Sequence, residues 1–188
     1  MLETVAIIGA GPLGRRLALA AAQGGFRVLL EDVMPRNLHH AQEYLRQQLG
    51  HEALGPEGGA GVRFVSTIED AVREADLAID CVPDELESKL EIFCLLDRMS
   101  PPRTVIATPT TRLSIADLSS CTYRADRCVA IAVEAASLCA GVSNEILLRT
   151  TSKTSPEVVD LLKRFWSQLG FAATFERDQT EMLTADLA

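Results

Sequence analysis

A glycine turn set between an apolar strand and a run of helix formers constrains this chain more than any other feature. Thr4–Ile8 (TVAII) is apolar and of strand length. It runs straight into Gly9-Ala10-Gly11-Pro12-Leu13-Gly14, and then into Arg15–Gln23, where strong helix formers dominate. A second apolar run, Arg27–Leu30, closes on Glu31-Asp32. Strand, glycine turn, helix, strand and acid, in that order, are the sequence form of a mononucleotide-binding βαβ unit.

Each glycine has its own task in such a unit. Gly9 lets the chain turn sharply off the strand, Gly11 leaves no Cβ between backbone and a pyrophosphate, and Gly14 lets the helix lie close on the sheet. The helix N-terminus, with Pro12 and Leu13 in its first turn, turns free N–H groups and a positive dipole end toward the phosphates. Asp32 stands 18 positions after Gly14. A carboxylate there accepts hydrogen bonds from both ribose hydroxyls and repels a 2′-phosphate, so NAD is expected in preference to NADP. A doubly wound domain that holds another nucleotide, or none, is the competing interpretation of the same pattern.

The length of 188 residues suits one large domain, or one domain with a short appendage, and 47% hydrophobic content is ample for a core. A net charge of −8 argues against nucleic acid and anionic membrane as partners, since both demand basic surface. Met1 opens almost directly on the first strand, and no apolar run reaches the roughly 18 residues of a membrane span. A soluble, cytoplasmic protein is the expectation. Cys81, Cys94, Cys121, Cys128 and Cys139 show neither CxxC pairing nor a partnering histidine, so reduced thiols and no metal site are expected. The three histidines, His39, His40 and His51, all lie in the first third of the chain.

Beyond Asp32 the chain alternates. Helices are expected over 36–49, 68–74, 84–99, 115–118, 155–169 and 178–188, and strands over 62–65, 77–82, 104–108, 128–133, 145–149 and 171–175. Residues 51–61 are rich in glycine and read as a loop. The fold class expected is α/β: a Rossmann-like, doubly wound, largely parallel sheet with helices on both faces.

These stretches resemble the N-terminal, NAD-binding domain of the L-3-hydroxyacyl-CoA dehydrogenase family. The resemblance rests on VAIIGAGPLG and VLLED, on ADLAIDCVPDELESKLEIF at 75–93, on VIATPTTRLSIADL at 105–118, on RADRCVAI at 124–131 and on SPEVVDLLKRFWSQLG at 155–170. It implies a dinucleotide domain over 1–177, and in 178–188 the stub of the segment leading to the family's helical dimerisation domain, which the chain is expected to lack. It also implies NAD(H) as cofactor, with an acyl-CoA as the substrate class. Gly9, Gly11, Gly14 and Asp32 match the family's pyrophosphate turn and ribose carboxylate. Asp84 falls where the family has a glutamate near the nicotinamide ribose, and Lys89 matches a lysine that touches the cofactor.

The catalytic half departs from the family. Its Asn-Thr-Ser-Ser is Pro109-Thr110-Thr111-Arg112 here, so Thr111 keeps a hydroxyl at the serine's place while Pro109 has lost the amide. The family's catalytic histidine falls on Ala132, and no histidine follows His51. Glu145 lies within one position of the histidine-orienting glutamate, with no imidazole to orient. Glu134 is the nearest carboxylate to the missing base, but it would need its pKa raised by several units to act as one.

Three readings of function result. In the first, the chain binds NAD(H) and no longer oxidises hydroxyacyl-CoA by the family's route. In the second, a separate helical subunit completes a split enzyme. In the third, the fold serves as an interaction module with a vestigial nucleotide site. The apolar residues Met182, Leu183 and Leu187 of the terminal segment further suggest a homodimer.

Overall fold

The computed structural model describes residues 2–50, 61–132 and 144–178. Eight strands form one sheet in the order β3-β2-β1-β4-β5-β6-β7-β8. They are β1 (Thr4–Ile8), β2 (Arg27–Glu31), β3 (Gly61–Val65), β4 (Leu77–Asp80), β5 (Val105–Pro109), β6 (Cys128–Ala132), β7 (Glu145–Thr150) and β8 (Ala172–Arg177). The helices are α1 (Pro12–Gln23), α2 (Pro35–Leu49), α3 (Ile68–Val72), α4 (Leu86–Met99), α5 (Ile115–Ser119) and α6 (Pro156–Gln168). The six strands β1 to β6 are mutually parallel, with β1 flanked by β2 and β4. The chain leaves β1 toward one side of the sheet and returns to its other side at β4. The crevice at the carboxyl ends of β1 and β4 is therefore a topological switch point.

Continuous apolar runs become strands here because both faces of the sheet are covered. All five residues of β1 are buried, as are all four of β4. Side chains alternate between two cores. Val5, Ile7, Val28 and Leu30 join α1 and α6 through Leu17, Ala21, Leu162 and Trp166. Ala6, Ile8, Leu29 and Ala78 join Ala71, Phe93 and Leu118 on the opposite face. In α1 the buried residues are Gly14, Leu17, Ala18 and Ala21, the i, i+3, i+4, i+7 stripe of a helix lying on a sheet.

The expected class matches, and several particulars differ. β7 runs antiparallel to β6, pairing Ala132 with Leu147, while β8 is parallel to β7. An apolar run has the same composition in either direction, so this reversal has no sequence signal. β4 stops at Asp80, which leaves Cys81 and Val82 in the turn, and α4 starts at Leu86 rather than at Asp84. Asp178, the last described residue, is held inside the domain. It is 2% exposed, its N–H donates to the Thr150 carbonyl, and its carboxylate accepts from Ile115 N–H (2.6 Å) at the start of α5. Residue 178 thus ties β8 to α5 inside the domain. The rest of the helix expected over 178–188, with the dimer contact placed on it, lies outside the described residues, as do Glu134 and Cys139. No helix among the described residues is long and apolar enough to cross a membrane.

Candidate cofactor site

At the switch point the glycine turn is shaped by three different demands. Gly9 has φ +101°, and a Cβ on it would stand 3.0 Å from the Cys81 carbonyl oxygen. Its N–H donates to the Glu31 carbonyl (2.8 Å), which carries the β2 ladder into the turn. A Cβ on Gly14 would lie 1.9 Å from the Gly9 oxygen, an impossible approach, so α1 sits where it does only because residue 14 is glycine. Gly11 is different, because nothing lies within 4 Å of where its Cβ would be. The protein's own packing places no demand on that position, and the open space beside it adjoins the N-terminus of α1. Pro12 occupies the first helical position, where its missing N–H costs nothing, and Leu13 packs partly against the core.

A cavity of about 530 Å³ opens from this turn. Gly9, Gly11 and Pro12 form one end, and Glu31, Asp32, Val33 and Asn37 line the end of β2 and the start of α2. Ile8, Ile68, Val82, Pro83 and Ile92 supply an apolar wall. This is the size and character of a small-molecule site, mostly apolar with a few convergent polar groups.

Asp32 is 8% exposed and heavily engaged. Oδ2 accepts from Ala10 N–H (2.9 Å) and Oδ1 from Met34 N–H (2.8 Å), while the Asn37 amide donates to both oxygens at 3.1 and 3.2 Å. A carboxylate offers about four lone-pair sites, so a ribose hydroxyl reaches Asp32 only by displacing the Asn37 amide. Asn37 is the residue that sequence reasoning missed; an asparagine in a first helical turn carries no special signal. Next to Asp32, Glu31 is buried at 5% exposure. Burial first, and the charge of Asp32 second, push its carboxyl up to about 7 from 4.5.

Across the crevice the β4–α4 turn brings Asp84, whose Oδ1 is buried and has no hydrogen-bond partner among the described residues. An orphaned acceptor of this kind is costly unless something donates to it. Arg112, from the turn after β5, donates to the Asp84 backbone carbonyl (3.1 Å), and its Nε stands 3.8 Å from Oδ2. Lys89 is placed otherwise than its match to a cofactor-touching lysine implies. It is fully buried, and its Nζ donates to Asp80 Oδ2 (3.2 Å), the Val82 carbonyl (3.3 Å) and Thr108 Oγ1 (2.9 Å). All three ammonium protons are spent inside the protein, where they fix the ends of β4 and β5.

The remaining positions lie farther along the same sheet edge. Thr111 is exposed in the turn after β5. The buried hydroxyl there belongs to Thr110, which accepts from the N–H groups of Arg112 and Leu113. Ala132 ends β6 partly buried, opposite Leu147, and Glu145 begins β7 exposed, two residues from Leu147 and so on the same face. Among the described residues no group of three or more His, Cys, Asp or Glu side chains is arranged to hold a metal ion.

The family described as 3-hydroxyacyl-CoA dehydrogenase, NAD binding domain, matches residues 4–178. The chain belongs to this family. The NAD-binding domain is similar to the probable 3-hydroxybutyryl-CoA dehydrogenase of Bacillus subtilis, 31% identical over 136 residues, which cover 68% of this chain and 47% of that protein. It is also similar to the 5-formyl-3-hydroxy-2-methylpyridine 4-carboxylate 5-dehydrogenase of Mesorhizobium japonicum, 34% identical over 125 residues, or 64% of this chain and 40% of that one. A crystal structure of a dehydrogenase of the latter kind, titled an NAD⁺-dependent dismutase, superposes with a TM-score of 0.81 at 27% identity, covering 100% of this chain and 63% of the other. The chain spans about half the length of the curated relatives it matches.

Proposed function

We propose that this domain holds NAD(H) along the crevice between β1 and β4, prefers it to NADP(H), and does not by itself carry out the family's base-dependent oxidation of a hydroxyacyl group. The observation that carries the reading is the open space at Gly11. Gly9 and Gly14 are required by neighbouring protein atoms, whereas Gly11 is glycine where only an incoming group would need the room. The orphaned Asp84 Oδ1 is a second mark, an acceptor placed for a hydroxyl donor that the protein does not provide.

Bound here, the nicotinamide supplies a hydride acceptor or donor. The first turn of α1 presents N–H groups to the pyrophosphate. Asp32 and Asp84 accept from the two riboses, Asp32 after Asn37 moves aside. Lys89 keeps the floor under the nicotinamide end rigid by holding Asp80 and Thr108 together. The Ala132 methyl takes no proton from a substrate hydroxyl. Glu145, with no imidazole among the described residues at that edge, has no base to orient. An acyl-CoA as substrate class rests on the names of relatives such as the Bacillus subtilis protein.

Steady-state assay with acetoacetyl-CoA and NADH tests the catalytic part of this reading. Ordinary enzymes turn over at about 1–10³ per second, and loss of a positioned base costs about two to four orders of magnitude. From the median of about 10 per second, turnover of this chain should therefore fall to about 0.1 per second or less, below that range. A rate inside it would show that another group does the work of the missing histidine.

A further inference from the structure

The cavity lining includes a second carboxyl group beside Asp32, that of Glu31. Glu31 follows Leu30, whose side chain packs in the core under α1, so by strand alternation Glu31 points to the opposite face. There it joins Ile8 from β1, Ile68 from α3, Ile92 from α4 and Val82 from the β4–α4 turn, all lining the same cavity. Among the described residues no hydrogen bond satisfies its carboxyl, although the residue is only 5% exposed. The ionisable groups that share this wall are Asp32 beside it and the Cys81 thiol, and neither brings a positive charge. Asp32 has its lone pairs committed to Ala10, Met34 and Asn37. Glu31 is therefore the carboxyl that meets a ligand in the apolar part of the cavity without first breaking a bond.

We propose that Glu31 is a specificity-determining residue that reads the base of the dinucleotide, its carboxyl lying in the plane of adenine and hydrogen-bonding to the edge that carries the exocyclic amine. This rests on the dinucleotide reading above and adds a contact to it. An apolar slot accepts any flat ring by stacking and area, so it discriminates poorly among bases. A single buried polar group at its floor changes that. A protonated carboxyl presents one donor and one acceptor side by side, and adenine presents an amine donor beside a ring-nitrogen acceptor. Charge suppression by burial and by Asp32 keeps the group in that two-sided form below about pH 7. A base without the amine leaves the carboxyl buried and unpaired, which is where the discrimination arises.

The test is calorimetric titration of the full chain with NADH and with nicotinamide 1,N6-ethenoadenine dinucleotide, whose ethene bridge removes the amine. It is run at pH 6 on the parent, Glu31→Gln and Glu31→Leu. The parent and Glu31→Gln, whose amide has the same donor–acceptor pair, should favour NADH by roughly tenfold or more, the size of one or two hydrogen bonds. Glu31→Leu, close to Glu in volume, should bind NADH and lose most of that preference. A preference of equal size in all three proteins means that the bulk of the bridge is being sensed, and overturns the base contact. Equal binding of both nucleotides by the parent overturns it as well. Failure of the parent to bind either one overturns the dinucleotide reading itself, and the base contact with it.

Discussion

Glu31 and Asp32 are neighbours in sequence with opposite electrostatic fates. Asp32 is surrounded by donors, whereas Glu31 faces apolar side chains and its neighbour's charge. The folded protein holds the Glu31 proton up to about pH 7, while the unfolded chain releases it near 4.5. Between those values the folded state binds more protons, so this group's contribution to stability declines as pH rises and is fully unfavourable above 7. Glutamine has no proton to lose. Glu31→Gln should be more stable than the parent by about 1–3 kcal/mol at pH 8, with the difference closing toward pH 4. Urea midpoints at the two pH values measure it, and a difference that does not change with pH would show that Glu31 ionises normally.

Two elements carry testable consequences. In the glycine turn, Gly11→Val should leave thermal stability within a few degrees of the parent and remove NADH binding, because the new side chain meets nothing but the space for the pyrophosphate. Gly14→Ala should instead destabilise the fold itself, since its methyl runs into the Gly9 carbonyl. Melting curves and titrations on both variants separate the two roles; unimpaired binding by Gly11→Val would mean the turn does not cradle phosphate. At the other end of β1, Asp76 accepts from Glu3 N–H (2.9 Å), Thr4 N–H (3.1 Å) and the Arg103 guanidinium (3.0 Å). Burial alone would raise its pKa, and these three donors outweigh burial and lower it. The stabilisation is therefore present above the ordinary 3.8 and lost as pH falls through the lowered folded value. Asp76→Ala should cost stability at pH 7 and much less near pH 2, read from denaturant midpoints. The strand, turn and helix order of 4–32 is legible in sequence because each step has a chemical reason: apolar run, φ-permissive glycine, helix formers. The antiparallel β7 is not legible, since the antiparallel pairing of Ala132 with Leu147 depends on a connection whose path composition does not encode. The contact of Asp178 with the α5 N–H groups is not legible either, since only the fold brings residues 115 and 178 together. For Lys89, spacing alone does not distinguish a lysine that faces a ligand from one that ties Asp80 to Thr108.

At the scale of the whole molecule, the parallel half of the sheet builds the cofactor crevice, and the β6–β7 edge carries the positions where the family's base and its partner fall. The first half keeps the glycine turn, with open space beside Gly11. In the proposed reading, Ala132 at the β6–β7 edge and Pro109 at the end of β5 stand where the resemblance expects the groups of a hydroxyl oxidation. The central claim is that the crevice is an NAD(H) site in which a carboxylate, Asp32, and not a cation meets the adenosine ribose. Arg36, the first cation after Asp32, is exposed, and among the described residues no Lys or Arg lines the cavity to meet a 2′-phosphate. Calorimetric titration of the full chain with NADH and NADPH, under one buffer at one ionic strength, tests this most directly. One site per chain is expected for NADH, with NADPH at least roughly tenfold weaker. Equal or tighter binding of NADPH, or no heat from either nucleotide at millimolar concentration, would contradict it.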